Sequence, residues 1–156
     1  MNASKIVDKE IRLRYVRIDK DTLETRRSSI RWLALTIGII NPGETRQSVL
    51  SVIDAILEFQ FVRKTKPTAK ELFEFINKSP IWGKINEKTL RYHLTRLKKK
   101  GLLENKEGRF YLFVPENYDI YSYESWANSL FEREKREIAE RISSVIRAIE
   151  NQSKIR

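Results

Sequence analysis

The chain has 156 residues, of which 31 are Lys or Arg and 21 are Asp or Glu, so the formal net charge is +10 and the sequence pI about 9.9. It contains no cysteine, which excludes disulfides, thiolate metal sites and cysteine nucleophiles. With 40% hydrophobic and 33% charged residues it reads as a globular protein, and the positive excess points to an anionic partner, nucleic acid ahead of a membrane surface.

The amino-terminal residues lack the apolar stretch of a signal peptide. The most apolar run, Ile30 to Ile40, is broken by Arg31 and is too short to span a bilayer. A cytoplasmic location without membrane association is expected, on the nucleoid if the source is prokaryotic. Residues 10–18 alternate apolar and basic through Ile11, Leu13 and Tyr15, which suits a strand with one wet face; a short helix joining Ile11, Tyr15 and Ile18 fits almost as well. Arg12, Arg14 and Arg17 then read as solvated edge charges. Asp21 and Glu24 have the spacing of a capping box, so a helix is expected from Asp21 to about Ile39. It would bury Leu23, Ile30, Leu33 and Ile37, with Trp32 packed near that face, and stop at the Asn41-Pro42-Gly43 turn.

A second helix, 45–62, carries Val49, Ile53, Ile56, Leu57 and Phe61 at helical spacing and ends in the basic loop Arg63–Pro67. Thr68 and Glu71 form another capping box, opening a helix over 68–78 with Leu72, Phe73 and Ile76 inward. The next helix spans 86–100. Asn86 suits its N-cap, Glu87 and the lysines Lys98 to Lys100 complement its dipole, and Gly101 suits the left-handed position past its end. Leu90, Leu94 and Leu97 give it a narrow apolar stripe. The opposite face carries Lys88, Tyr92, Thr95 and Lys99, flanked by Arg91 and Arg96. Two short β-prone runs around Lys106-Glu107-Gly108 then read as a hairpin over 102–114. Phe110, Leu112 and Val114 should face inward, and Tyr111 and Phe113 the other side.

This order of helix, helix, helix and hairpin resembles the winged helix-turn-helix family over residues 45–115. The stretch Ile85-Asn-Glu-Lys-Thr-Leu-Arg-Tyr-His-Leu-Thr-Arg-Leu-Lys-Lys-Lys-Gly-Leu-Leu is similar to the recognition helix and first wing strand of MarR-, ArsR- and PadR-like transcription regulators. The connection Lys78–Lys84 departs from that pattern, being longer than the usual tight turn. The resemblance implies a mainly α fold with a small wing, and a recognition helix in the major groove of double-stranded DNA. Lys88, Arg91, Tyr92 and Thr95 would face the groove, with Thr89 at its edge. Arg96 and Lys99 would meet phosphates, and Lys106 and Arg109 would reach the backbone from the wing.

The last segment, 120–156, reads as one long helix from Tyr121 onward. Trp126, Leu130, Phe131, Ile138, Ile142, Val145 and Ile149 form an apolar seam whose last four members repeat as in a heptad. Homodimerisation through this seam is expected, with Lys135 interrupting it; folding back on the chain's own domain is the alternative. Residues 1–44 form an amino-terminal extension of one possible strand and one helix. The single histidine, His93, reads as a helix-boundary residue with a backbone or solvent partner. No glycine-rich phosphate loop, metal-ligand spacing or Ser-His-Asp arrangement stands out, so no enzymatic activity and no cofactor are expected. The resulting expectation is a dimeric, sequence-specific DNA-binding regulator. The alternatives are a sequence-tolerant chromatin- or replication-associated nucleic-acid binder and a winged-helix protein-interaction module. Trp32 and Trp126 mark where a small effector pocket, or ordinary packing, would sit.

Overall fold

The computed structural model describes residues 6–44, 46 and 48–155. A turn of 3-10 helix, Lys20–Leu23, precedes α1 (Arg26–Thr36), α2 (Ser48–Leu57, continued by a π-helical turn Glu58–Val62), α3 (Ala69–Lys78) and α4 (Glu87–Lys99). The hairpin β1 (Leu103–Lys106) and β2 (Arg109–Leu112) follows, then α5 (Tyr123–Asn128) and α6 (Glu132–Ile155). The fold is therefore mainly α with one antiparallel hairpin and a long final helix. Thr45, where the second helix was expected to begin, lies outside the described residues.

Helix α2 is the axis of the core. Every residue from Val49 to Ile56 is buried, and α1, α3, α4 and β2 all pack against it. A helix surrounded on all sides tolerates few polar residues, and the buried ones here, Ser51, Asp54 and Gln60, each have an internal partner. The expected caps of α3 and α4 are present. Thr68 and Glu71 form a reciprocal capping box, and the Asn86 side chain accepts from the Thr89 N–H. Gly101 has φ +81°; its N–H donates to the Lys98 carbonyl and that of Leu102 to the Leu97 carbonyl, which closes α4 with a Schellman motif. The chain then enters β1 at once.

In the hairpin Leu103 pairs with Leu112 and Lys106 with Arg109, and Thr68 forms a further bridge to Arg109. Leu112 and Val114 are buried and Phe110 half-buried, as the alternation requires; Tyr111 and Phe113 stack under Lys66 and Arg133. The hairpin is fastened from inside by Gln60, which the π-helical turn aims at β2. Its Oε1 accepts from the Leu112 N–H at 2.6 Å, and its Nε2 donates to the carbonyls of Leu112 at 3.1 Å and Ile120 at 2.8 Å. Gln60→Leu keeps the volume but orphans these backbone groups, chiefly the buried N–H. We expect a loss of about 1–3 kcal/mol in urea unfolding, with faster amide exchange at Leu112.

Three expectations need correction. Residues 10–18 are neither strand nor helix; they run as an extended segment across the end of α1. The cause is Arg14. Its backbone N–H donates to the Thr36 carbonyl, and its guanidinium donates to the carbonyls of Leu35 and Ile40 and to Asn41 Oδ1. A cation at a helix C-terminus satisfies carbonyls the helix cannot, so Arg14 is a cap and not a solvated edge charge. Helix α1 also starts later than expected. Asp19 caps the 3-10 turn through Thr22, and Thr25 caps α1 through Ser28, so Asp21 and Glu24 form no box. This start places Arg26 in the first turn, facing Asp54 and Glu58. It also leaves Leu23 70% exposed, whereas Ile30 and Ile37 are buried as expected. Trp32 is half-buried and donates to the Arg17 carbonyl.

The third correction concerns the carboxy-terminal segment, which is two helices. Phe131 adopts φ +58° and breaks the chain between α5 and α6. Trp126 and Phe131 are buried and Leu130 is half-buried, all in this chain's own core, with the Trp126 ring 5.5 Å from that of Phe61. These three members of the seam are therefore intramolecular. The first turn of α6 is pinned by Arg133 to Glu104 and by Glu134 to Lys9, and from Lys135 to Lys154 every residue is exposed.

Candidate nucleic-acid interface

Helix α4 is divided cleanly. Leu90, His93, Leu94 and Leu97 are buried against the core, while Lys88, Arg91, Tyr92, Thr95, Lys98 and Lys99 are exposed and Thr89 and Arg96 half-buried. Three buried leucines, each worth roughly 1.5–3 kcal/mol, fix the helix so that the basic side must face outward. Among the described residues the ion pairs leave out Lys88, Arg91, Lys98, Lys99 and Lys106. Their charge is available to an external anion.

The expected residues fall into groups. Arg91 lines a groove of about 410 Å³ between the starts of α3 and α4, together with Lys70, Phe73, Glu74, Glu87 and Leu90. Tyr92 and Arg96 stack, with the guanidinium 5.6 Å from the ring centroid. Both line a recess of about 420 Å³ that also contains His93 and Arg46. Lys106 is exposed at the hairpin tip. Arg109 is partly engaged: its Nη1 donates to the Lys66 carbonyl at 2.8 Å and lies 3.5 Å from Glu71, which ties the turn end of the hairpin to the start of α3. Sequence reading missed Lys70 and Arg46, because neither lies on the helix whose pattern drew attention; both are cations on neighbouring parts of the chain.

His93 is not the expected boundary residue. It is 3% exposed, and its Nε2 is 2.9 Å from Ser48 Oγ, at the start of α2. Burial first, and then the charges of Arg96 and Arg46, push its pKa below the ordinary value, so the folded protein holds a neutral ring. A histidine depressed on folding contributes stability that is complete above its unfolded pKa, about 6.5, and declines as pH falls from there toward the folded value. We expect the Tm to fall between pH 7.5 and pH 5.5, and His93→Gln to flatten that decline, as read by calorimetry at both pH values.

The long connection between α3 and α4 has a structural purpose. Trp82, 5% exposed, plugs it into the core and donates from Nε1 to Asp54 Oδ2 at 2.8 Å. The same carboxylate accepts from Arg26 Nε at 2.6 Å, while Arg26 Nη2 reaches Glu58, which Arg63 also pairs. Burial alone would raise the Glu58 carboxyl, but the hydrogen bonds and charges of Arg26 and Arg63 outweigh it and hold it below its ordinary value. The Asn77 side chain accepts from the Ile85 N–H at 2.9 Å, just before the α4 cap. The position of α4 thus depends on α1, α2 and the connection together.

In comparisons with known proteins, no family model, no curated protein and no solved structure matches the chain. Among the described residues, no helix is long and apolar enough to cross a membrane.

Proposed function

We propose that this chain is a sequence-specific, double-stranded DNA-binding transcription regulator of winged-helix type. Helix α4 enters the major groove and the β1–β2 hairpin acts as the wing. One observation carries the reading: α4 is locked by its buried face while its exposed face presents cations with no internal partner among the described residues, and it runs directly into a hairpin with Lys106 at the tip. Arg91, Tyr92, Lys88 and Thr95 read base edges, and Arg96, Lys99, Arg46 and Lys106 bind phosphates. The protein works without cofactor or catalysis, as a homodimer joined through α6, in the compartment that holds the DNA.

The test is binding to random and to selected duplexes across a salt series, with solution mass measured alongside. Selection of a near-palindromic site by a dimer, with affinity falling steeply as salt rises, supports the reading. Tight binding indifferent to sequence would move the protein to the chromatin-associated class, which its net charge of +10 also suits. No binding at low salt would leave α4 as a protein-docking surface.

A further inference from the structure

Among the described residues, α6 carries a continuous apolar face that nothing covers. Ile138, Ile142, Val145, Ile146 and Ile149 are between 41% and 59% exposed, on a helix of 24 residues exposed from Lys135 to Lys154, where Arg141 pairs with Asp8 at 3.5 Å. Ile138, Ile142, Val145 and Ile149 occupy the a and d positions of a heptad, Lys135 holds the preceding a position and Gln152 the following d position. The complement of such a seam is another helix with the same repeat, and direction decides how well a second copy fits.

In a parallel pair every seam residue meets itself, so Lys135 faces Lys135 and each Ile146 flanks Arg141 of the second copy. In an antiparallel pair centred between Ser143 and Ser144, Ile138 faces Ile149 and Ile142 faces Val145 in both directions. All four apolar layers are retained. Lys135 then faces Gln152, which removes the like-charge contact, and on one flank small Ala139 lies against bulky Ile146. We infer that two copies of this chain pair antiparallel through α6, about an axis between Ser143 and Ser144. The inference rests on the dimeric reading above and deepens it.

The pairing fixes the distance between the points where the two bodies join α6. Each body joins α6 at Glu132, and with a rise of 1.5 Å per residue the two junctions lie about 35 Å apart along the pair. That matches one turn of duplex, about 34–36 Å, the spacing of half-sites read by a two-fold dimer. A parallel pair would crowd both bodies at one end. The register of the seam thus sets the two junctions one helical turn of duplex apart, a separation compatible with two inverted half-sites.

The absence of cysteine makes the test clean. Ile138→Cys and Ile149→Cys are made separately in the full chain, and each is oxidised alone and as a mixture. Both positions are exposed on α6, so the fold is retained. A disulfide closes only when the two Cα atoms lie within about 7 Å. In the inferred pair like positions are separated by about 16 Å along the axis, whereas 138 and 149 meet. The expected result is a covalent dimer in the mixture and almost none from either variant alone. Cross-linking of each variant with itself would establish a parallel pair and overturn the inference. So would a native chain that is monomeric by solution mass, or a native dimer that cross-links in none of the three samples. No DNA enters the assay, so an antiparallel dimer indifferent to DNA would refute the regulator and keep the pairing.

Discussion

Replacing Arg91 and Tyr92 together by alanine is expected to weaken binding to a selected duplex on the order of 100-fold while leaving the Tm unchanged. A well-placed arginine on a guanine edge carries about 1–3 kcal/mol of discrimination. Tyr92 adds a second hydrogen-bonding group and supports Arg96 through the stack at 5.6 Å. Neither side chain contributes to the core: Tyr92 is 52% exposed and Arg91 is exposed at the edge of its groove. Surface changes of this kind usually move stability by no more than about 0.5 kcal/mol. Affinity for random duplex should fall much less, so the ratio of specific to random binding collapses. Lys99→Ala is the control. Removing one phosphate-binding cation from the end of α4 weakens both kinds of binding alike and reduces the salt slope by about one. Fluorescence anisotropy with both duplexes at two salt concentrations separates the patterns. If the double variant binds the selected duplex as tightly as the native chain, α4 does not read DNA.

Local signals in the sequence were sufficient at the ends of α3 and α4, which are closed by their own residues, but not at α1, whose local Thr25–Ser28 box is masked in the sequence by the Asp21–Glu24 spacing. Thr68 with Glu71, Asn86 with Thr89, and Gly101 after three lysines are satisfied within a few positions, and each appears where its spacing predicts. The apolar stripe of α4 was legible for the same reason, since periodicity reports which face is inward without naming what it meets. Signals settled by a distant partner were not legible. Arg14 looks like one more edge charge until the end of α1, more than twenty residues on, supplies three carbonyls within its reach. With Thr25 as the cap, Arg26 falls in the first turn of α1, where it meets Asp54 on a distant helix. The seam over 126–149 looked continuous because the sequence keeps its apolar spacing through Phe131, where the backbone leaves the helix so that Trp126 and Phe131 can pack on the core. Gln60 gave no signal: a glutamine inside an apolar helix shows neither its burial nor the strand it serves.

Asp54→Ala is expected to cost about 1–3 kcal/mol, set chiefly by the buried indole N–H it orphans, because Arg26 is 40% exposed and keeps Glu58. Asp54 is 1% exposed, yet it is accepted in the core because two donors from different parts of the chain converge on it, Arg26 Nε and Trp82 Nε1. Removing the carboxylate leaves the buried indole N–H without its acceptor and deprives Arg26 of its shorter ion pair, while Glu58 retains the other. The damage reaches the interface by a definite route. Arg26 carries α1, and Trp82 carries the connection that sets where α4 begins, so both lose their common anchor on α2. Asp54→Asn keeps one acceptor oxygen but turns an NH2 group toward the other of the two donors, so it should cost somewhat less than alanine, one of the two bonds surviving without its charge. Urea unfolding of the two variants, read by tryptophan fluorescence, gives the ranking. If DNA binding is then compared under conditions where Asp54→Asn remains folded, its affinity should fall for selected and random duplexes alike, because a displaced α4 loses register with the groove and not one particular base edge. An Asp54→Ala protein as stable as the native chain would mean that Trp82 and α1 are held by apolar packing alone.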